Sequence, residues 1–133
     1  MPQGSLIQEV KREIKVVHFG GEDLIPNPDW LKDLKTIVEE SEDLYPGIDL
    51  WFKKRVAPEL ARRSSRSALL FYDGDDPVAG TVIRRGIKST KICNMRVLPE
   101  YQKMGLGKLI MNLILAEIRH DHTKNIHFTI PAQ

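Results

Sequence analysis

The 133 residues contain one cysteine, Cys93. No disulfide can close within the chain, and a lone thiol fits a reducing compartment, so the expected location is cytoplasmic. No apolar run approaches the ~20 residues that a membrane-spanning helix needs, so no membrane partner is expected. The opening residues, Met1-Pro2-Gln3-Gly4-Ser5, have neither the basic start nor the apolar stretch of a secretory signal. Charge of one sign is also lacking. Twenty Lys and Arg face 18 Asp and Glu, and the net +2 is too small to imply nucleic acid on its own. Repeats and low-complexity tracts are absent as well. What is present is ordinary for a globular chain, 41% hydrophobic and 29% charged. This length suits one domain, residues 1–133, burying roughly two-thirds of its unfolded surface.

Hydrophobic patterning gives the element order. A first strand is expected over residues 13–19, carrying Ile14, Val16 and Val17 and ended by Gly20-Gly21. Pro26-Asn27-Pro28-Asp29 marks a turn and a helix start, with Asp29 as the cap. Trp30, Leu31, Leu34, Ile37 and Val38 then recur at helical spacing. Tyr45-Pro46-Gly47 breaks that pattern, and a second helix follows over 48–63. Pro58 inside it predicts a kink or a split. Strands are expected over 67–72, 78–85 and 91–97, the first two joined by the hairpin loop Asp73-Gly74-Asp75-Asp76-Pro77. A helix with Leu106, Leu109, Ile110, Leu113, Ile114 and Ile118 on one stripe comes next, then a strand over 126–130. The order β-α-α-β-β-β-α-β, a meander followed by a strand–helix–strand crossover, implies a mixed, mainly antiparallel α/β sheet flanked by helices.

The chemistry is concentrated in Val97-Leu98-Pro99-Glu100-Tyr101-Gln102-Lys103-Met104-Gly105-Leu106-Gly107-Lys108. A strand runs through a proline turn into a loop with two glycines, and a helix starts at once. Backbone N–H groups at a helix start lack intrahelical partners and lie at the positive end of the helix dipole. Such a site suits phosphate or pyrophosphate. The spacing is neither the Gly-x-Gly-x-x-Gly of dinucleotide binders nor a Walker loop, which would end in Gly-Lys-Ser/Thr.

The string resembles the acyl-CoA loop of GNAT-type N-acetyltransferases, whose pattern is Gln/Arg-x-x-Gly-x-Gly/Ala. Val97-Leu98-Pro99-Glu100-Tyr101 is similar to that family's strand exit, and Lys108-Leu109-Ile110 to its helix start. The element order agrees over nearly the whole chain, while only the glycine-loop region carries specific residues. The resemblance implies direct acetyl transfer from acetyl-CoA, as co-substrate, to the amine of a small molecule or peptide, with no metal. It implies a cofactor site of Met95, Arg96, Val97, Gln102, Lys103, Met104, Gly105, Leu106, Gly107 and Lys108. The pyrophosphate would rest on N–H groups between Gln102 and Lys108, and the pantetheine arm would bond the backbone of Met95 and Val97. GNAT domains usually continue with a helix and two more strands, the helix often bearing a tyrosine that protonates the departing thiolate. The sequence here ends at Gln133. That is expected of a piece of a longer chain, or of a sheet completed by a second copy in a homodimer.

No general base is assigned. Where relatives carry a glutamate, this chain has Lys91 on the strand before the loop and Thr129 on the strand after it. His18, Glu42 and His127 are the candidates, each with a plainer reading as a surface or strand-end polar residue. The missing carboxylates leave a non-catalytic CoA-binding or interaction module as the alternative. Lys53-Lys54-Arg55 and Arg62-Arg63-x-x-Arg66 read as the solvated face of a helix rather than as a contact with nucleic acid, CoA phosphate or an acidic acceptor. Tyr45, Trp51 and Phe52 fall where the family lines its acceptor cleft, or else in the core. His120-Asp121-His122 points its side chains apart and is no metal site. Cys93, mid-strand, reads as a small hydrophobe.

Overall fold

The computed structural model describes residues 13–21, 26–62, 64–87, 89–120 and 125–128, with backbone alone at 117–120 and 125–128. Strand β1 (Ile14–Gly20) leads to helix α1 (Pro28–Glu39). A turn then enters α2 (Ile48–Trp51), which widens into a π-helical segment over Phe52–Val56 and closes as α3 (Ala57–Leu60). Strands β2 (Arg66–Asp73), β3 (Asp76–Arg85) and β4 (Ser89–Val97) form a meander. The single turn α4 (Pro99–Gln102), helix α5 (Leu106–His120) and strand β5 (Asn125–Phe128) follow. The sheet order is β1-β2-β3-β4-β5, antiparallel throughout except for the parallel pair β4–β5. This is the mixed sheet expected.

Two apolar layers sandwich the sheet. On one face Leu34, Ile37 and Val38 of α1, with Phe52, Val56 and Leu60, pack on Phe19, Leu70 and Val82. On the other, Leu106, Ile110 and Ile114 of α5 pack on Phe71, Ile83 and Val97. Each such side chain, fully buried, stabilises the fold by about 1.5–3 kcal/mol relative to exposure. The α5 stripe is narrower than its spacing predicts, because Leu109 lies at its margin and is 43% exposed.

Local details correct or sharpen the expectations. The α1 cap is Asn27, whose Oδ1 accepts the Trp30 N–H at 2.9 Å, and Asp29 lies inside the first turn. Pro28 takes the first helical position, where its missing N–H costs nothing, so the residue before it is the cap. The split that Pro58 predicts is seen as the π segment between α2 and α3, with Pro58 just after it. The proline opens the last turn of the second helix, and the strain of its ring against the preceding turn is taken up by the wider π segment just before it. Residues 99–102, read as loop, form a helical turn. Arg66 is no part of a solvated helix face: it starts β2 and is 5% exposed. Arg63, residues 121–124 and residues 129–133, including Thr129 and two members of the His120-Asp121-His122 triplet, lie outside the described residues. No helix among the described residues is long and apolar enough to cross a membrane.

Candidate active site

The glycine loop is held from below by its own strand exit. Leu98 N–H donates to Val78 O at 2.9 Å, and Gln102 Nε2 donates to Val97 O at 2.9 Å. Tyr101 Oη donates to Asp73 Oδ2 at 2.7 Å, tying α4 to the β2–β3 hairpin. Gly105 takes φ +77°, a backbone conformation that glycine adopts without penalty, and a Cβ there would meet nothing within 4 Å. Glycine is required by the backbone at this point, and the space above it is open.

The amides of the loop divide in two. Those of Gln102 and Met104 are engaged by the carbonyls of Leu98 and Tyr101, and that of Gly105 makes a long 3.4 Å contact with Gln102 O. Those of Leu106, Gly107 and Lys108 open α5, and among the described residues no carbonyl outside the helix accepts from them. The exposed end of the 15-residue helix thus presents three N–H groups and the positive end of its dipole. Gln102, placed in the cofactor set by the sequence pattern, spends its side-chain amide on the strand exit.

Parallel pairing of β4 with β5 runs from Ser89 opposite Asn125 to Ile92 opposite Phe128, the last described residue of β5. At that point β4 carries a bulge: Ile92 pairs with Ile83 and Asn94 with Val82, so Cys93 has no counterpart on β3. A bulge bends its strand and re-aims side chains. Thr81, fully buried, anchors it by donating from Oγ1 to Asn94 O at 2.8 Å. Beyond the bulge, β4 runs on to Val97 with Met95 exposed at 37% and Val97 in the core.

A cavity of about 450 Å³ opens on the α1–α2 side of this bulge. Its outer wall comes from Tyr45, Gly47 and Trp51, and its floor from Cys93 and Asn94. Four cationic side chains, Arg55, Arg66, Arg84 and Lys91, face it, and no carboxylate or histidine among the described residues lines it. Arg66 is the buried member. Its Nη1 donates to Cys93 Sγ at 3.4 Å, its guanidinium lies 5.6 Å from the Trp51 ring centroid, and its Nε is 3.5 Å from Glu59 Oε2. Burying a guanidinium is costly unless it is paired. The aromatic face and Glu59 offset that cost, which explains why the chain can hold this arginine inside. Cys93, read as an ordinary strand hydrophobe, is a bulge residue that accepts a hydrogen bond from a cation.

The structure sorts the candidate bases. His18 is on β1, with β2 and β3 between it and β4. Glu42 accepts the Gly47 N–H at 3.0 Å and so fastens the α1–α2 turn. His127 stands opposite Lys91 in the β4–β5 register, on the strand beside the cavity. Tyr45 and Trp51 line the cavity, whereas Phe52 is a core residue at 2% exposure. Among the described residues no group of His, Cys, Asp or Glu could hold a metal ion.

Residues 37–133 match the family model of the acetyltransferase (GNAT) domain. The chain belongs to the GNAT acetyltransferases. Solved structures agree in fold. A GCN5-related N-acetyltransferase from Ralstonia eutropha JMP134 is similar with TM-score 0.71 at 18% identity, over 90% of this chain and 84% of that one. An aminoglycoside N-acetyltransferase, AAC(6')-Iy, solved in complex with CoA, gives 0.68 at 9% identity over 93% and 81%. A ribosomal-protein-alanine N-acetyltransferase from Brucella melitensis biovar Abortus 2308 gives 0.65 at 10% over 90% and 81%. Comparison with curated protein sequences gives no match.

Proposed function

We propose that this GNAT chain is an N-acetyltransferase that uses acetyl-CoA as co-substrate and a small amine as acceptor. The observation that carries the reading is a pair of backbone surfaces at one place: three N–H groups at the start of α5 that no carbonyl outside the helix takes up among the described residues, and the edge of β4 beyond the bulge, which meets no described strand. The first suits a pyrophosphate. The second offers main-chain groups to the amide-bearing pantetheine arm as a further strand would. The acetyl group would then reach the bulge at Cys93 and Asn94, next to the cavity. There the amine nitrogen attacks the thioester carbonyl carbon, the C–S bond breaks, and the sulfur leaves as thiolate. The amine gives up one proton, and the thiolate takes one. The protein's part is to orient the two reactants and to offer a backbone N–H to the charge developing on the carbonyl oxygen. His127, opposite the cavity-lining Lys91 in the β4–β5 register, is our candidate base.

Calorimetry with acetyl-CoA, followed by an assay of thiol release on adding amines, tests the reading. Binding in the micromolar range with release is the expected outcome. Gly105→Asp sets an anionic side chain in the open space where the pyrophosphate should rest, and is expected to abolish binding. Gly105→Asn is the control. Asparagine also tolerates positive φ but is neutral, so it should retain most of the affinity. Equal affinity in the wild type and Gly105→Asp would remove the site from this loop. The absence of any carboxylate or histidine among the described lining residues favours a second reading, a CoA-binding module without turnover, and binding without thiol release would select it.

A further inference from the structure

The cavity at the bulge says what kind of amine it is built for. The chain as a whole carries net +2, yet Arg55, Arg66, Arg84 and Lys91 converge on this one concavity. Among the described residues one carboxylate, Glu59, contacts any of the four, and it is set against Arg66. Asp49, nearby on α2, is already paired with Lys35 and Lys53. Exposed cations in water are worth little individually. Converging in a concave site around a buried guanidinium, they focus a positive potential that draws anions and repels cations.

Two lining side chains, each more than nine-tenths buried, carry unmet hydrogen bonds: Arg66 at Nε and Asn94 at Oδ1. Arg66 has five N–H donors in a fork that matches a carboxylate. Of these, Nη1 is engaged by Cys93 Sγ, and Nε points at Glu59 without closing a hydrogen bond. A ligand carboxylate would add an acceptor to a guanidinium whose Nε closes no hydrogen bond and whose Nη1 has only a weak sulfur acceptor. Space of about 450 Å³ suits a molecule of amino-acid to dipeptide size.

We propose that the acceptor is a small amine that also bears a carboxylate, which Arg66, Arg84 and Lys91 hold while the amine faces the bulge. This rests on the N-acetyltransferase reading above. It sets the chain apart from polycationic acceptors, which the same four side chains would repel.

The test compares matched acceptors with the acetyl-CoA-loaded full chain: L-alanine against L-alaninamide, 4-aminobutyrate against 4-aminobutanamide, and spermidine as a polycation. The expected result is a kcat/KM at least tenfold higher for the carboxylate, shrinking at high salt as charge interactions are screened. Arg84→Gln and Lys91→Gln, both at exposed positions where folding is safe, should each cut that preference several-fold and leave acetyl-CoA affinity unchanged. Arg66→Gln should cut it most, provided its circular dichroism spectrum matches the wild type. Acetyl-CoA binding with equal or better use of the amides or spermidine overturns this inference alone. So does acetylation confined to amines that lack a carboxylate, whereas acetyl-CoA binding with no acetylation of any amine overturns the N-acetyltransferase reading as well. Failure to bind acetyl-CoA overturns the N-acetyltransferase reading and this inference with it.

Discussion

At the scale of single residues, the fold leans on a few polar groups placed inside it. Tyr72 on β2 is 8% exposed and donates from Oη to Asp33 Oδ2 of α1 at 2.6 Å, which ties the helix layer to the sheet. Burial first, and then the Asp33 carboxylate, raise the phenol well above its ordinary value of 10.0. In the unfolded chain the phenol ionises near 10, whereas in the folded chain it holds its proton to higher pH. Tyr72 therefore stabilises the fold fully below pH 10, and its contribution is lost as pH rises from there toward the folded value. Tyr72→Phe removes the hydrogen bond and should cost about 1–2 kcal/mol at neutral pH. It should also flatten the fall in stability above pH 10. Urea titrations of both proteins at pH 7 and pH 10.5 check this, and an unchanged alkaline slope in the variant would assign that slope to other groups.

At the scale of elements, local chemistry sets the helices and contacts distant in sequence set the site. Asn27 closes the start of α1, so Asn27→Ala should cost about 1 kcal/mol in chemical denaturation, while Asn27→Asp keeps the acceptor oxygen and most of the stability. The sequence reading puts this cap at Asp29, although Pro28 at the first helical position is a local signal for the residue before it. The strand–loop–helix string from Val97 to Lys108 was legible because proline, glycine and apolar period are all local signals. The bulge was not legible. No glycine or proline marks Cys93, and its irregularity appears only when Ile83 and Val82 are paired with Ile92 and Asn94 across the sheet. Nor was the burial of Arg66. Its partners Trp51, Glu59 and Cys93 come from three separate elements, and a basic run read along the chain gives no hint of them. The scaffold was thus readable from neighbours in sequence. The basic cavity required knowing which strands and helices meet.

At the scale of the molecule, the decisive arrangement is that one strand serves both faces of the sheet. The α5 side supplies the open amides and the α1–α2 side supplies the cavity, and β4 is the passage between them. Its described pairing with β5 ends at Ile92, opposite Phe128, and the edge from residue 93 to 97 meets no strand among the described residues. An extended, amide-bearing co-substrate laid there would pair with that edge and would link the two layers through one chain of main-chain contacts. Hydrogen exchange gives this a direct reading. Saturating acetyl-CoA should slow exchange at amides of residues 93–97 and at Leu106, Gly107 and Lys108. Amides of β2, already paired on both sides by β1 and β3, should change far less. Protection at the start of α5 without protection along β4 would mean that the pyrophosphate is held but the arm runs elsewhere, and the reacting carbonyl would then not arrive at the basic cavity. Protection of both segments, lost together in Gly105→Asp, would show that the helix terminus and the strand edge bind one extended molecule.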